Sequence, residues 1–166
     1  MKNLTKTALL GSLAGALLTA ASSAASAQKV ERLYASGPGP APAIAQATSV
    51  PSGFITYYLS GALPTPTTPA ANGKPAVFGD TATQTRSVLN NLKAVMDKMG
   101  IGYGDVVAAH VFLDPKADFM AMNKVWSTEF GTAAQPNKPA RATVFVNALV
   151  APGALLEIEF TAVKKK

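Results

Sequence analysis

Arg141 sits in a stretch that otherwise has the makings of a buried strand. Residues 137–146 read "NKPARATVFV", and after Pro139 every side chain except that of Arg141 suits a pleated, half-covered surface. Burying a cation without a partner is very costly, so the position raises the question of what the guanidinium is for. Taken alone, it could form a rim salt bridge with Glu157 or Glu159. Those two carboxylates are the other candidates for chemistry. In "ALLEIEF", residues 154–160, Leu156, Ile158 and Phe160 point one way and Glu157 and Glu159 the other. Two acids on one sheet face could do acid–base work, and a solvent-facing edge accounts for them equally well. Whether Arg141 faces either acid decides the matter.

Other chemistry has less support. His110 is the chain's one histidine and has no acidic residue beside it, which fits a satisfied core or interface side chain better than a ligand. "GIGYG", residues 100–104, has the composition of a phosphate loop, but it follows a helical pattern and opens no helix. It reads as a helix terminus turning into a strand. Phe119, Met122 and Trp126 recur at helical spacing and read as core. Tyr57 and Tyr58 place one ring on each face of a strand. The chain has no cysteine, which excludes thiolate catalysis, disulfides and Cys-ligated zinc. No metal site is expected.

The first 27 residues stand apart. Lys2 and Lys6 precede the short apolar run "ALLGSLAGALLTA", residues 8–20, and Ala25-Ser26-Ala27 gives a small-x-small cleavage pattern. This is the layout of a secretory signal peptide. The run is shorter than the about 20 residues of a membrane span. The expectation is an exported protein, periplasmic or secreted, with residues 28–166 as a single domain and no stable membrane association after cleavage. Without Lys2 and Lys6, the 15 basic residues fall to 13 against 9 acidic ones, a net charge of +4. Three of those positives are Lys164, Lys165 and Lys166 at the tail. The rest are scattered, whereas a nucleic-acid footprint gathers them on one face. No nucleic-acid partner is expected.

The elements that must position these residues follow from periodicity. "QKVERLYAS", from Gln28, predicts an edge strand. "GPGPAPAIAQATSVPSG" is too rich in Pro and Gly for a regular element, and "FITYYLSGALP" predicts a strand. A turn is expected at Asn72-Gly73. From about Asp80 to Met99, Val88, Leu89, Leu92, Val95, Met96 and Met99 form one helical stripe. Thr81 and Gln84 have capping-box spacing, and Gly100 sits at the left-handed C′ position. Residues 105–113 predict a buried strand. A second helix is expected with Asp114 as N-cap, Pro115 at its first position, and Phe119, Met122, Trp126 and Phe130 on its buried stripe. Strands follow at Arg141–Leu149 and Ala154–Val163. The order β-β-α-β-α-β-β is an α+β fold with both helices on one face of a sheet. The strands at 105–113 and 142–149 are apolar at most positions, as in sheets buried on both sides. Two helices cover one side only, so other subunits are expected on the second.

With these residues located, the chain resembles the RidA family of reactive-intermediate (enamine/imine) deaminases. The matches run in order: "LSG" at 59–61, "GDTATQTRSVLNNLKAVMDKMG", "GDVVAAHVFL", "DFMAMNKVW", "PAR" at 139–141 and "GALLEIEFTAV". The resemblance implies a chorismate-mutase-like fold with a mixed sheet, assembled as a homotrimer with sites in the clefts between subunits. It implies hydrolysis of short-lived 2-imino acids such as 2-iminobutanoate to 2-keto acids and ammonia, without metal or organic cofactor. Residue by residue, it makes Arg141 the group that grips the substrate carboxylate through two parallel N–H···O bonds, which lysine cannot reproduce. It makes Glu157 the group that assists the attacking water. Ser60 and Gly61 match the pocket lining, Asn123 a helix position near the mouth, and Thr143 a position whose main chain helps place the substrate.

Three positions depart from the pattern. Ile44, in "PAIAQ", stands where the family has an aromatic hydroxyl. Ala62 stands where a Gln is common, and "NALVAPG" is somewhat longer than usual. A second reading from a different class is therefore carried forward: a non-catalytic trimeric module that binds a small carboxylate, a carbonyl ligand or a protein partner.

Overall fold

Helix stripes and strand alternation build most of the molecule as the residue pattern implies. In the computed structural model, residues 28–37 and 41–166 are described; the expected signal peptide, residues 1–27, lies outside them. The elements are β1 (Glu31–Leu33), β2 (Ala47–Ser49), β3 (Phe54–Ala62), α1 (Thr81–Lys98), β4 (Val106–Leu113), α2 (Phe119–Glu129), β5 (Ala140–Phe145) and β6 (Leu156–Lys165), with one 3-10 turn at Tyr103–Asp105. The main sheet runs β3-β6-β4-β5. β4 and β5 are parallel, joined over α2, and the other pairings are antiparallel. Both helices pack on one face. Val88, Leu89, Leu92 and Met96 from α1 meet Met122, Val125 and Trp126 from α2 over Val111, Ile158 and Phe160 of the sheet. None of the described helices is long and apolar enough to cross a membrane.

One strand more than expected is present. β2 emerges from the Pro- and Gly-rich stretch and pairs with β1 in a separate two-stranded sheet, so the order is β-β-β-α-β-α-β-β. β1 is not an edge of the main sheet. It is tied down by Arg32, whose Nη2 donates to the carbonyls of Gly104 and Val106.

The helix termini differ from expectation in instructive ways. α1 is capped by Asp80, whose Oδ1 accepts from the Thr83 amide at 2.8 Å. The expected capping box of Thr81 and Gln84 does not form. Gln84 is buried, and its amide group donates to the carbonyls of Gly79 and Gly153 and accepts from the Leu155 amide at 2.7 Å. It fastens the start of α1 to the entry of β6. At the other end Gly100 takes φ +67° as expected, and the Ile101 amide bonds the Met96 carbonyl. α2 does not begin at Asp114. Asp114 caps only a single turn, its Oδ1 accepting from the Lys116 amide. The helix starts from Asp118, which accepts from the amides of Met120 and Ala121. The turn at Asn72-Gly73 forms, with φ of +51° and +75° and reciprocal bonds between Ala71 and Lys74. This is the hairpin geometry that an Asn-Gly pair favours.

β5 is shorter than the apolar run that predicts it. β4 ends at Leu113, whose carbonyl accepts from Val146; beyond that the chain has no ladder partner and leaves the sheet. The face turned away from the helices carries Tyr58, which is 83% exposed, along with Ala108, His110, Phe112, Ala142 and Val144.

Candidate functional site

Register decides which face each candidate occupies. Arg141 lies opposite Ala109 of β4, which lies opposite Phe160 of β6, which lies opposite Leu59 of β3. Side chains in one such row share a face, and Phe160 is buried against Trp126. Arg141 therefore points to the helix side, at the β5 edge of the sheet. Its guanidinium carbon lies 4.6 Å from the Trp126 ring centroid. Nη2 donates to Asn123 Oδ1 at 2.7 Å, and Nη1 approaches Met122 Sδ at 3.9 Å. Among the described residues Lys93 forms an ion pair with Asp97 and His110 hydrogen-bonds to Glu159; no carboxylate pairs with Arg141. Burial pushes its guanidinium down to about 10, which leaves it charged at neutral pH. Its Nε is buried without a hydrogen-bond partner, and so is Thr143 Oγ1, on the same face of β5. Buried polar atoms are nearly always satisfied. Arg32 Nε, elsewhere in the fold, is likewise unpartnered; of the three residues, Arg141 alone lines the cleft described next.

The walls around Arg141 are held from both sides. The Ala43 carbonyl accepts from Trp126 Nε1 at 2.8 Å, and the Ala45 amide donates to the Pro139 carbonyl at 2.8 Å. Ile44, between these anchors, is fixed against the core. The result is a cleft of about 460 Å³ lined by Ile44, Phe119, Met120, Asn123, Trp126 and Arg141, among others. Phe119, expected in the core, is on its rim at 39% exposure.

Glu157 is elsewhere. It lies opposite Phe112, on the face turned away from the helices, so alternation puts it on the other side of the sheet from Arg141. Within one chain Arg141 faces neither Glu157 nor Glu159. Glu157 instead meets Gly61. β3 carries a bulge between Leu59 and Ala62, and a Cβ on Gly61 would collide with the Glu157 carboxylate. Ser60, Gly61 and Glu157 thus form a second group. Ser60 and Gly61 line a separate cleft of about 590 Å³ between β3 and α1, with Tyr58, Asn91, Val95 and Met99. Strands are spaced by about 4.8 Å, so the β3 and β5 edges stand roughly 14 Å apart. The candidates divide in two: Arg141, Asn123, Thr143 and Ile44 at one edge, Glu157, Ser60 and Gly61 toward the other.

Sequence reasoning missed two features. Trp126 is core as expected, but its ring is also the seat of the guanidinium; the available signal was its spacing of three from Asn123 on one helix. His110 has no acidic neighbour in sequence, yet its Nδ1 lies 2.6 Å from Glu159 Oε1 across the β4–β6 ladder. The pairing comes from register, which local sequence does not display. Among the described residues no three His, Cys, Asp or Glu side chains gather as a metal site.

This arrangement has relatives. A family model described as Endoribonuclease L-PSP matches residues 40–164. A RutC family protein of Pyrococcus horikoshii is 40% identical over 89 residues, covering 54% of this chain and 67% of its own length. The 3-aminoacrylate deaminase RutC of Acinetobacter baylyi is 39% identical over 101 residues, covering 61% and 73%. Among solved structures, YyfB from Yersinia pestis, of the conserved Rid protein family, superposes with a TM-score of 0.59 at 28% identity, over 74% of this chain and 87% of its own.

A cation buried without a counter-charge weakens the fold that holds it. Arg141→Met keeps the bulk and removes the desolvated charge, so its urea midpoint is expected at or above that of the parent chain. Truncating an ordinary buried side chain costs about 2–5 kcal/mol. A loss of that size on Arg141→Met would show that the guanidinium is there for the fold and not for a ligand.

Proposed function

The chain belongs to the endoribonuclease L-PSP family, which takes in the RutC and Rid proteins, and we propose that it hydrolyses reactive 2-imino acids and their enamine tautomers to 2-keto acids and ammonia. The observation that carries this reading is the charged guanidinium of Arg141, without a carboxylate partner, 4.6 Å over the Trp126 ring centroid with Nε unsatisfied. A planar fork with free donors fits a planar carboxylate through two parallel bonds. Asn123, which lines the same cleft, holds one Nη2 hydrogen and so fixes the fork's orientation. With the carboxylate held, C2 of the imine lies at a fixed distance from the arginine, where a carboxylate base can direct water to it. The water oxygen bonds to C2 while one of its protons passes by way of Glu157 to the imine nitrogen, giving a carbinolamine; the hydroxyl proton then follows through the same carboxylate to the amino nitrogen, the C–N bond breaks as the C=O bond forms, and ammonia leaves a 2-keto acid.

Glu157 of the same chain faces the wrong way for this. We infer that the base comes from a neighbouring copy: the β3 edge of one subunit, with Ser60, Gly61 and Glu157, closes over the Arg141 cleft at the β5 edge of the next. Joining two different surfaces is a heterologous contact, which forms a ring when the rotation closes. A trimer, as the resemblance implies, is such a ring. It would also cover the apolar face that carries Tyr58, Phe112 and Val144. The second reading, a binding module without catalysis, is favoured by one observation: a single chain holds a full carboxylate seat and no acid facing it. The family's description speaks of RNA cleavage, but this cleft offers one guanidinium and Lys124 in place of a basic track for phosphates.

Three measurements test the proposal. Release of 2-keto acid from 2-iminobutanoate generated in situ is expected to run well above buffer with the wild type. Arg141→Ala should abolish the acceleration and Arg141→Lys restore little of it, since a point charge cannot replace the fork. No acceleration by the wild type would leave the binding module standing. Gly61→Ala should fold normally, because the atom it displaces ends a flexible side chain. Its kcat should fall by about 10² as the Glu157 carboxylate is pushed aside, and an unchanged kcat would remove Glu157 from the mechanism. Sedimentation should give a mass three times that of the chain; a monomer would refute the shared site.

A further inference from the structure

The Arg141 cleft is charged at one end and apolar along its walls, and from this we infer that the chain prefers 2-imino acids with branched or aromatic apolar side chains over small or polar ones. The inference rests on the proposed imine hydrolysis and specifies its substrate class. Two of the polar side chains lining the cleft are already engaged through their oxygen atoms. Asn123 Oδ1 accepts from Arg141, the Ser127 hydroxyl donates to the Lys124 carbonyl at 3.0 Å, and Lys124 lies exposed at the mouth. Beyond the guanidinium, what remains is Ile44, Phe119, Met120 and the Trp126 ring.

Two features make these walls a specificity element and not a casual surface. First, the backbone that presents Ile44 is held on both sides by the Trp126–Ala43 and Ala45–Pro139 hydrogen bonds, and its side chain packs against the core. Second, the cleft is far larger than a carboxylate and an imine need, at about 460 Å³ within the usual range for small-molecule sites. A substrate with a methyl or hydroxymethyl side chain would leave these walls wet, and a hydroxyl pressed against Ile44 would lose its hydrogen bonds to water without replacement. Phe119 and Met120 stand 39% and 71% exposed on the rim. They gain most from an apolar group that reaches them from Arg141, and each added methylene in such a pocket is worth ~10- to 200-fold in discrimination.

The test compares imines generated in situ by an amino acid oxidase from leucine, phenylalanine, alanine and serine, using the full chain in its native oligomeric state. kcat/KM on the leucine- and phenylalanine-derived imines should exceed that on the alanine- and serine-derived ones by at least ~10-fold. Ile44→Ala and, on the exposed rim, Phe119→Ser should each shrink that ratio. Equal or faster turnover of the small imines would overturn the substrate class and leave the imine reaction intact. Failure to accelerate any of the four would instead sink the reaction itself. If the two variants changed the sedimentation mass and not the substrate ratio, the walls would belong to a subunit contact and the inference would fall.

Discussion

One ring, that of Trp126, carries three loads. Its face toward the interior stacks on Phe130 at 4.3 Å and meets Phe160 edge-on at 6.1 Å, which joins α2 to the sheet. Its indole N–H holds the Ala43 carbonyl and so sets the loop that presents Ile44. Its electron-rich face takes the Arg141 guanidinium. Attraction between a cation and an aromatic face strengthens as water is removed. The same burial that pushes the guanidinium's proton affinity down therefore also makes Trp126 a better seat. Core packing, cleft shape and charge placement are consequently not separable here. A change at Trp126 that preserved the core would still release the loop or the arginine.

Strand alternation imposes the second constraint. A residue on β5 and a residue on β6 share a face only if their rows match in parity, and those of Arg141 and Glu157 do not. No side-chain rotation crosses a sheet. A site using both groups must therefore take them from different copies of the chain, and the exposed apolar residues on the outer face make contact between copies favourable in its own right. The bulge at Ser60-Gly61 belongs to the same arrangement. It adds a residue to the edge strand where the Glu157 carboxylate lies, and bulges commonly re-aim a side chain at such edges.

How far the sequence carries depends on the range of the interaction concerned. The stripe Val88, Leu89, Leu92, Val95, Met96, Met99 and the left-handed Gly100 are local patterns; Gly100 appears as expected, and Val88, Leu89, Leu92 and Met96 are buried, whereas Val95 and Met99 stand 48% and 54% exposed. Helix starts are local too, yet two competing signals sit four residues apart. Asp114-Pro115 looks better than Asp118, but the Asp118 amide is taken by the Thr81 hydroxyl of the other helix, a tertiary bond that no window of sequence contains. Gln84 fails as a capping residue for the same reason: its partners at Gly153 and Leu155 are about 70 positions away. Arg141 could be singled out from composition, being the one charge in an apolar run. Its partner could not, because the face of Glu157 depends on strand order and register. The His110–Glu159 pair was hidden by that same dependence.

The energetics of Arg141 connect these levels. An arginine in a half-buried strand adds nothing that an aliphatic residue would not supply more cheaply to a core, and removing it from water is unfavourable by its own sign. It persists because the surroundings over-determine it: Asn123 takes one N–H, the Trp126 face takes the charge, and Met122 closes the inner side. None of the three neutralises it. An anion entering the cleft would relieve the desolvation, satisfy Nε and restore the missing counter-charge in a single step. Under the proposed function, affinity for a carboxylate would follow from this unmet requirement, independent of which group completes the reaction on the other side. On that proposal, catalysis and mere binding would differ in whether a second chain brings Glu157 to that carboxylate's neighbour atom.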